Sequence, residues 1–189
     1  MKKFLAFTMA AAMTLSLAAC GGGSSSGSNT SADGSGSAAF KLGGTGPLTG
    51  GASIYGLAAQ RGAQIAVDEI NAQGGAIQFD LKYEDDQHDP EKAVNAYNAL
   101  KEWGMQISLG SVTSQPGIST SALNQEDGIF ALTPSASSPD VIAGKDNVYQ
   151  MCFSDPNQGL ASAQYIAEQQ LGEKIFIIWK SDDNYSTGI

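Results

Sequence analysis

The stretch from Ile77 to Leu109, IQFDLKYEDDQHDPEKAVNAYNALKEWGMQISL, holds one complete strand–helix–strand unit. Ile77, Phe79, Leu81 and Tyr83 alternate with Gln78, Asp80 and Lys82, the two-residue period of a strand. Asp89-Pro90-Glu91 then opens a helix. Asp is a good N-cap, Pro suits the first turn because its missing N–H has no partner there, and Glu favours the positive end of the dipole. Ala93, Val94, Tyr97 and Leu100 form the apolar stripe, Gly104 ends the helix, and Met105 to Leu109 reads as the next strand. A strand, a helix and a strand in this order predict a parallel βαβ unit.

The pattern repeats on both sides. Phe40 to Gly44 reads as a strand, followed by the turn-rich loop Thr45-Gly46-Pro47-Leu48-Thr49-Gly50-Gly51. Ala59, Ala63, Ala66, Val67 and Ile70 share one helical face, with Arg61, Asp68 and Glu69 away from it. Gly74-Gly75 closes that helix. Towards the C-terminus the expected elements are a helix over 117–125, strands over 129–132 and 148–153, a helix over 157–171 and a buried strand from Lys174 to Trp179. The expected fold class is α/β: a doubly wound parallel sheet flanked by helices. Such sheets bind ligands at the carboxyl ends of their strands. That rule selects the loops after the first, third, fourth and final strands.

The N-terminus has a separate logic. Lys2 and Lys3 precede an apolar run from Phe4 to Leu17, then Leu17-Ala18-Ala19-Cys20. A basic start, a short apolar core and small residues are the parts of a secretory signal. The core is shorter than the ~20 residues of a spanning helix. Leu-Ala-Ala-Cys resembles the bacterial lipobox, which implies that Cys20 becomes a lipidated first residue and tethers the protein outside the cytoplasm. The Gly/Ser tract that follows cannot order itself and serves as a flexible linker.

Loss of Lys2 and Lys3 with the signal takes the formal charge from −9 to −11, a surface that repels nucleic acid and anionic lipid. Cys152, the other cysteine, is expected to be an unpaired, buried small hydrophobe. No second apolar run reaches spanning length, so the body is expected to be soluble.

Thr113 and Ser114 follow a strand and precede a helix. Hydroxyls and free amides at a helix start suit a carboxylate. Ser135-Ala136-Ser137-Ser138 offers a second set of donors and carbonyls, and together the two loops suit a small zwitterion. Each loop by itself reads more readily as a turn that satisfies its own backbone. Tyr55 and Tyr185 are candidate pocket walls or half-buried core residues. Asp85, Asp86, His88 and Asp89 form an incomplete metal set without the spacing of a calcium loop. No metal and no cofactor is expected. Nucleophile, phosphate-loop and dinucleotide motifs are absent from the sequence, so an enzyme is not expected.

Several segments in order carry a resemblance: Gly46-Pro47-Leu48-Thr49-Gly50, Tyr55-Gly56, Ala66-Val67-Asp68-Glu69-Ile70-Asn71-Ala72-Gln73-Gly74-Gly75 and Asp85-Asp86-Gln87-His88-Asp89-Pro90. Gly110-Ser111-Val112-Thr113-Ser114, Thr133-Pro134-Ser135-Ala136 and Asp155-Pro156-Asn157-Gln158-Gly159 continue it. They resemble the leucine/isoleucine/valine-type substrate-binding lipoproteins of ABC importers, with the periplasmic-binding-protein type I fold and its Rossmann-like sheet. The resemblance implies capture of an amino acid between two lobes and its delivery to ABC permease subunits. It implies that Ser114 and Ser137 hold the ligand carboxylate, with Thr113 beside them. The backbone of Ser135 and Ala136 completes the clamp, Tyr55 flanks it, and Tyr185 reaches in from the second lobe. A cysteine pair of some members has no counterpart at His88 or in the 110–114 loop.

The expected organisation is a lipoprotein signal over 1–19, a linker over 20–39, a first lobe over 40–153 and the truncated beginning of a second lobe over 154–189. Members are about twice as long, which implies exposed apolar surface at Ile175 to Trp179, partial folding and weak binding. It also implies that the second-lobe acid for the ligand ammonium is missing. A ligand-sensing receptor module of the same fold and an extracytoplasmic enzyme are the alternatives.

Overall fold

The computed structural model describes residues 39–189; the expected signal peptide, Cys20 and the expected linker through residue 38 lie outside the described residues. Five parallel strands form one sheet in the order β2-β1-β3-β4-β5. They are β1 (Phe40–Gly46), β2 (Phe79–Asp85), β3 (Ile107–Ser111), β4 (Ala131–Thr133) and β5 (Val148–Gln150). Helices α1 (Ser53–Ala72), α2 (Pro90–Trp103) and α3 (Ser114–Asp127) alternate with the first four strands, and a 3-10 turn at Pro139–Val141 precedes β5. Helices α4 (Asp155–Glu168) and α5 (Asn184–Gly188) follow.

The βαβ unit forms as its sequence dictates. Asp89 caps α2 by accepting from the Lys92 amide at 2.9 Å, Pro90 occupies the first turn, and Gly104 ends the helix at φ 93°. That left-handed conformation costs glycine little. Ala93, Ala96, Tyr97 and Leu100 are the buried face of α2. Tyr97 and Leu100 join Met105 in one core cluster, flanked by Trp103, Leu123 and Ile129. Gly43 on β1 makes room for it, because a Cβ there would collide with the Met105 thioether. A second cluster of Ala131, Ala136, Val141 and Val148 packs β4 and β5 beneath α3 through Ile118. The end of α1 is fastened to β2 by Asn71, whose side-chain amide exchanges two hydrogen bonds with the backbone of Phe79 at 2.8 and 2.9 Å.

The strand order contains the topological decision that matters for function. The chain leaves β1 for β2 on one side, then crosses back and adds β3, β4 and β5 on the other. The loops after β1 and β3 therefore diverge and leave a crevice at the carboxyl edge.

Several expectations need correction. Met105 is not in a strand; β3 starts at Ile107, and Met105 instead fills the space above Gly43. Strand β5 stops at Gln150, and Phe153 beyond it is 61% exposed. Helix α4 begins two residues early, at Asp155, and ends three early, at Glu168. The segment Lys174 to Trp179 is neither a strand nor buried. Phe176 and Ile178 are 86% and 85% exposed. A strand requires a neighbour to complete its ladder, and no strand pairs with this run among the described residues. Exposure of the apolar side chains Ile175 to Trp179 is as expected. Cys152 is unpaired but only half-buried, and that burial pushes its thiol up from the ordinary value. Among the described residues no helix is long and apolar enough to cross a membrane.

Candidate functional site

A cavity of about 330 Å³ opens at the crevice. Ala52 and Tyr55 line it from the β1 side, and Val112, Thr113 and Ser114 from the end of β3 and the start of α3. Ser135 and Ser137 contribute the loop after β4, and His88 the loop after β2. Phe153, Lys180, Asp183 and Tyr185 close it from the C-terminal segment. A larger, open apolar groove of about 960 Å³ runs between α4 and the unpaired run 175–179. It shares Tyr185 with the smaller cavity.

Ser114 organises the hydroxyl wall. It is buried, and its Oγ accepts from the backbone amides of Ser137 and Ser138, both at 3.1 Å. Two accepted bonds occupy its lone pairs and leave its own proton to donate. Thr113 sits at the N-cap of α3 without capping it; its Oγ1 turns to His88 Nδ1 at 3.0 Å. A helix start with no side-chain cap, beside a hydroxyl with a free proton, favours an anionic group.

A buried polar chain holds this wall in place. Thr133 Oγ1 donates to the Ser111 carbonyl at 2.6 Å and accepts from the Ala136 amide at 3.0 Å. Ser111 Oγ donates to Asp86 at 2.9 Å, and Asp86 also accepts from the His88 amide at 2.9 Å. Burial pushes the Asp86 carboxyl above the usual carboxylate range, while the bonds from His88 and Ser111 oppose that rise. Asp85 behaves differently. Burial is the largest single influence and works upward, but the hydrogen bonds that Thr49, Leu48 and Gln87 donate to its carboxylate together outweigh it and hold it below the usual range. Asp89 is spent on its cap. The acids of 85–89 thus serve as fasteners for the loops around the cavity.

The remaining expected residues divide. Ser137 lines the cavity and its carbonyl accepts from the Asp155 amide at 3.1 Å. Ser135 lines the cavity from an exposed position. Ala136 does not line it: it is fully buried, its amide is taken by Thr133, and its carbonyl accepts from Gln150 at 2.7 Å. Tyr55 is 63% exposed on the first turn of α1, which lies tight against the Pro47 backbone because Gly56 has no side chain. Tyr185 lies on the short helix α5, not in a turn, and its hydroxyl pairs with Gln158 at 3.1–3.2 Å. Sequence reasoning passed over the part played by Asp183 and His88. Their signal was position, His88 in the loop after β2 and Asp183 at the N-cap of α5.

The chain matches the model of the periplasmic binding protein family over residues 39–189. It belongs to that family. The relatives are named for binding. The Leu/Ile/Val-binding protein BraC3 of Rhizobium johnstonii is 35% identical over 135 residues, covering 70% of this chain and 37% of that protein. LivJ of Streptococcus pneumoniae, a branched-chain amino acid transporter substrate-binding protein solved with isoleucine, superposes with a TM-score of 0.75 at 27% identity. That match covers 80% of this chain and 44% of LivJ. The leucine-binding protein LivK of Thermotoga maritima gives 0.72 at 26% identity, over 79% of this chain and 43% of LivK. The chain spans about 37% of the length of the curated relatives it matches.

Proposed function

We propose that this chain is part of an extracytoplasmic solute-binding component of an ABC importer. It captures an amino acid of the branched-chain class and passes it to membrane permease subunits. The observation that carries the reading is Ser114: a buried hydroxyl, fixed by two amides, with its proton free at the mouth of a helix start. That group suits a carboxylate, and the matching relatives are named for leucine, isoleucine and valine. Ser114 and Thr113 take the ligand carboxylate, Ser137 and Ser135 stand beside it, and Tyr55 and Tyr185 wall the aliphatic side. Ala136 acts from beneath, as packing for the loop. Residues 40–153 form the first lobe and 154–189 begin the second. Cys20, lipidated after removal of 1–19, tethers the domain to the membrane through the linker 20–39. No catalysis, cofactor, metal or nucleic acid enters this reading.

Amide NMR titration with isoleucine tests it, because chemical shifts report weak binding as well as strong. The amides of Ser114, Ser137 and Ser138 shift saturably with isoleucine and do not shift with glucose. Absence of any shift up to the solubility limit of isoleucine, leucine and valine overturns the reading.

A further inference from the structure

The geometry points to His88 as a positioning residue whose imidazole latches the Asp183–Tyr185 wall of the cavity to the Thr113–Ser114 wall. His88 is the single histidine of the chain. Its Nδ1 lies 3.0 Å from Thr113 Oγ1 and its Nε2 lies 3.5 Å from Asp183 Oδ1. One ring therefore touches the start of α3 and the N-cap of α5.

The backbone is set up to hold the ring there. Gln87 and His88 both adopt left-handed conformations, at φ 51° and 59°. Such conformations cost energy in residues with a Cβ and persist only where surroundings enforce them. Here the enforcement is visible: Asp85 accepts from the Gln87 amide at 3.0 Å and Asp86 from the His88 amide at 2.9 Å.

Asp183 supplies the complementary need. The residue is 7% exposed. One carboxylate oxygen, Oδ2, caps Ser186 at 2.9 Å, while Oδ1 is buried without a hydrogen bond. A buried carboxylate oxygen without a donor is costly, and the His88 Nε2 proton is placed to relieve it. Other charged and titratable groups stand around the pair. Asp86 faces the ring from its own loop, and Asp155 stands near Asp183. Lys180 lines the same cavity but pairs with Asp182 at 2.8 Å. Tyr55 and Tyr185 complete the lining. With its proton on Nε2 the ring donates to Asp183 while Nδ1 accepts from the Thr113 hydroxyl, so one ring serves both walls.

A cycle of His88→Gln, Asp183→Asn and the double variant tests it, read as thermal stability. Asparagine keeps the N-cap of α5, so the Asp183 variant retains its fold. The expected result is coupling between the two positions. Additive effects overturn the latch.

A second arm rests on the amino-acid reading above and uses isoleucine as probe. His88→Gln lowers the affinity roughly two- to five-fold, the span expected of a partly exposed pair, and adding Asp183→Asn to it lowers the affinity no further. If no variant responds to isoleucine while the stability coupling persists, the amino-acid reading fails and the latch stands. If His88→Gln binds isoleucine as tightly as the wild type does, the latch fails.

Discussion

The apolar residues of the sheet core and of the C-terminal run 175–179 have opposite fates. Leu100 is 1% exposed and Ala131 fully buried, while Ile177 and Ile178 are 70% and 85% exposed. Both regions carry the apolar content of a strand. The core strands have ladder neighbours on at least one side and helices over them; the run has neither a ladder nor a bed deep enough to cover it. Apolar content makes burial favourable, but backbone groups must be paired before a segment can be buried.

Four measurements break or sharpen this contrast. Amide exchange gives the widest expected gap: amides of β1 and β3 exchange at least about a thousandfold more slowly than those of 175–179. Equal rates would show that the run is structured. Substitution in the two regions gives the next. Leu100→Ala costs about 2–5 kcal/mol in urea unfolding, because it opens a cavity in the Tyr97–Met105 cluster, whereas Ile177→Ala changes stability by less than about 0.5 kcal/mol. A comparable loss at both would merge the regions into one core.

Ser114→Ala is intermediate. It leaves the amides of Ser137 and Ser138 without their acceptor and costs about 1–3 kcal/mol, with loss of the isoleucine response. Stability retained alongside lost binding would assign the hydroxyl to the ligand alone. The smallest effect lies at Asp85. Its carboxyl is held below the usual range in the folded state, so its contribution is present above the unfolded value of ~3.9 and disappears as pH falls through the lower folded value. Asp85→Asn flattens this acid limb of a stability–pH curve. An unchanged limb would mean that the bonds from Leu48, Thr49 and Gln87 contribute nothing net.

What was legible in the sequence was local. The alternation from Ile77 to Tyr83, the Asp89 cap and the Gly104 stop fix β2, α2 and their boundary, because each acts through residues within one turn or one strand. Ser114 and Ser137 were legible as hydroxyls at strand ends, a position that the parallel alternation itself implies. Tyr55 was legible for the same reason, as the first turn after β1.

The tertiary structure alone decided what depends on chain crossings. The order β2-β1-β3 opens the crevice between the loops after β1 and β3, and no local pattern encodes which side of β1 a strand joins. The inward turn of Ala136 follows from Thr133 and Gln150 reaching it across the loop. His88 and Asp183 meet because the fold brings the loop after β2 and the N-cap of α5, distant in sequence, to one cavity. Local propensity sets the elements within a few residues. Pairing, burial and charge complementarity are properties of neighbours in space, and only the folded chain supplies them.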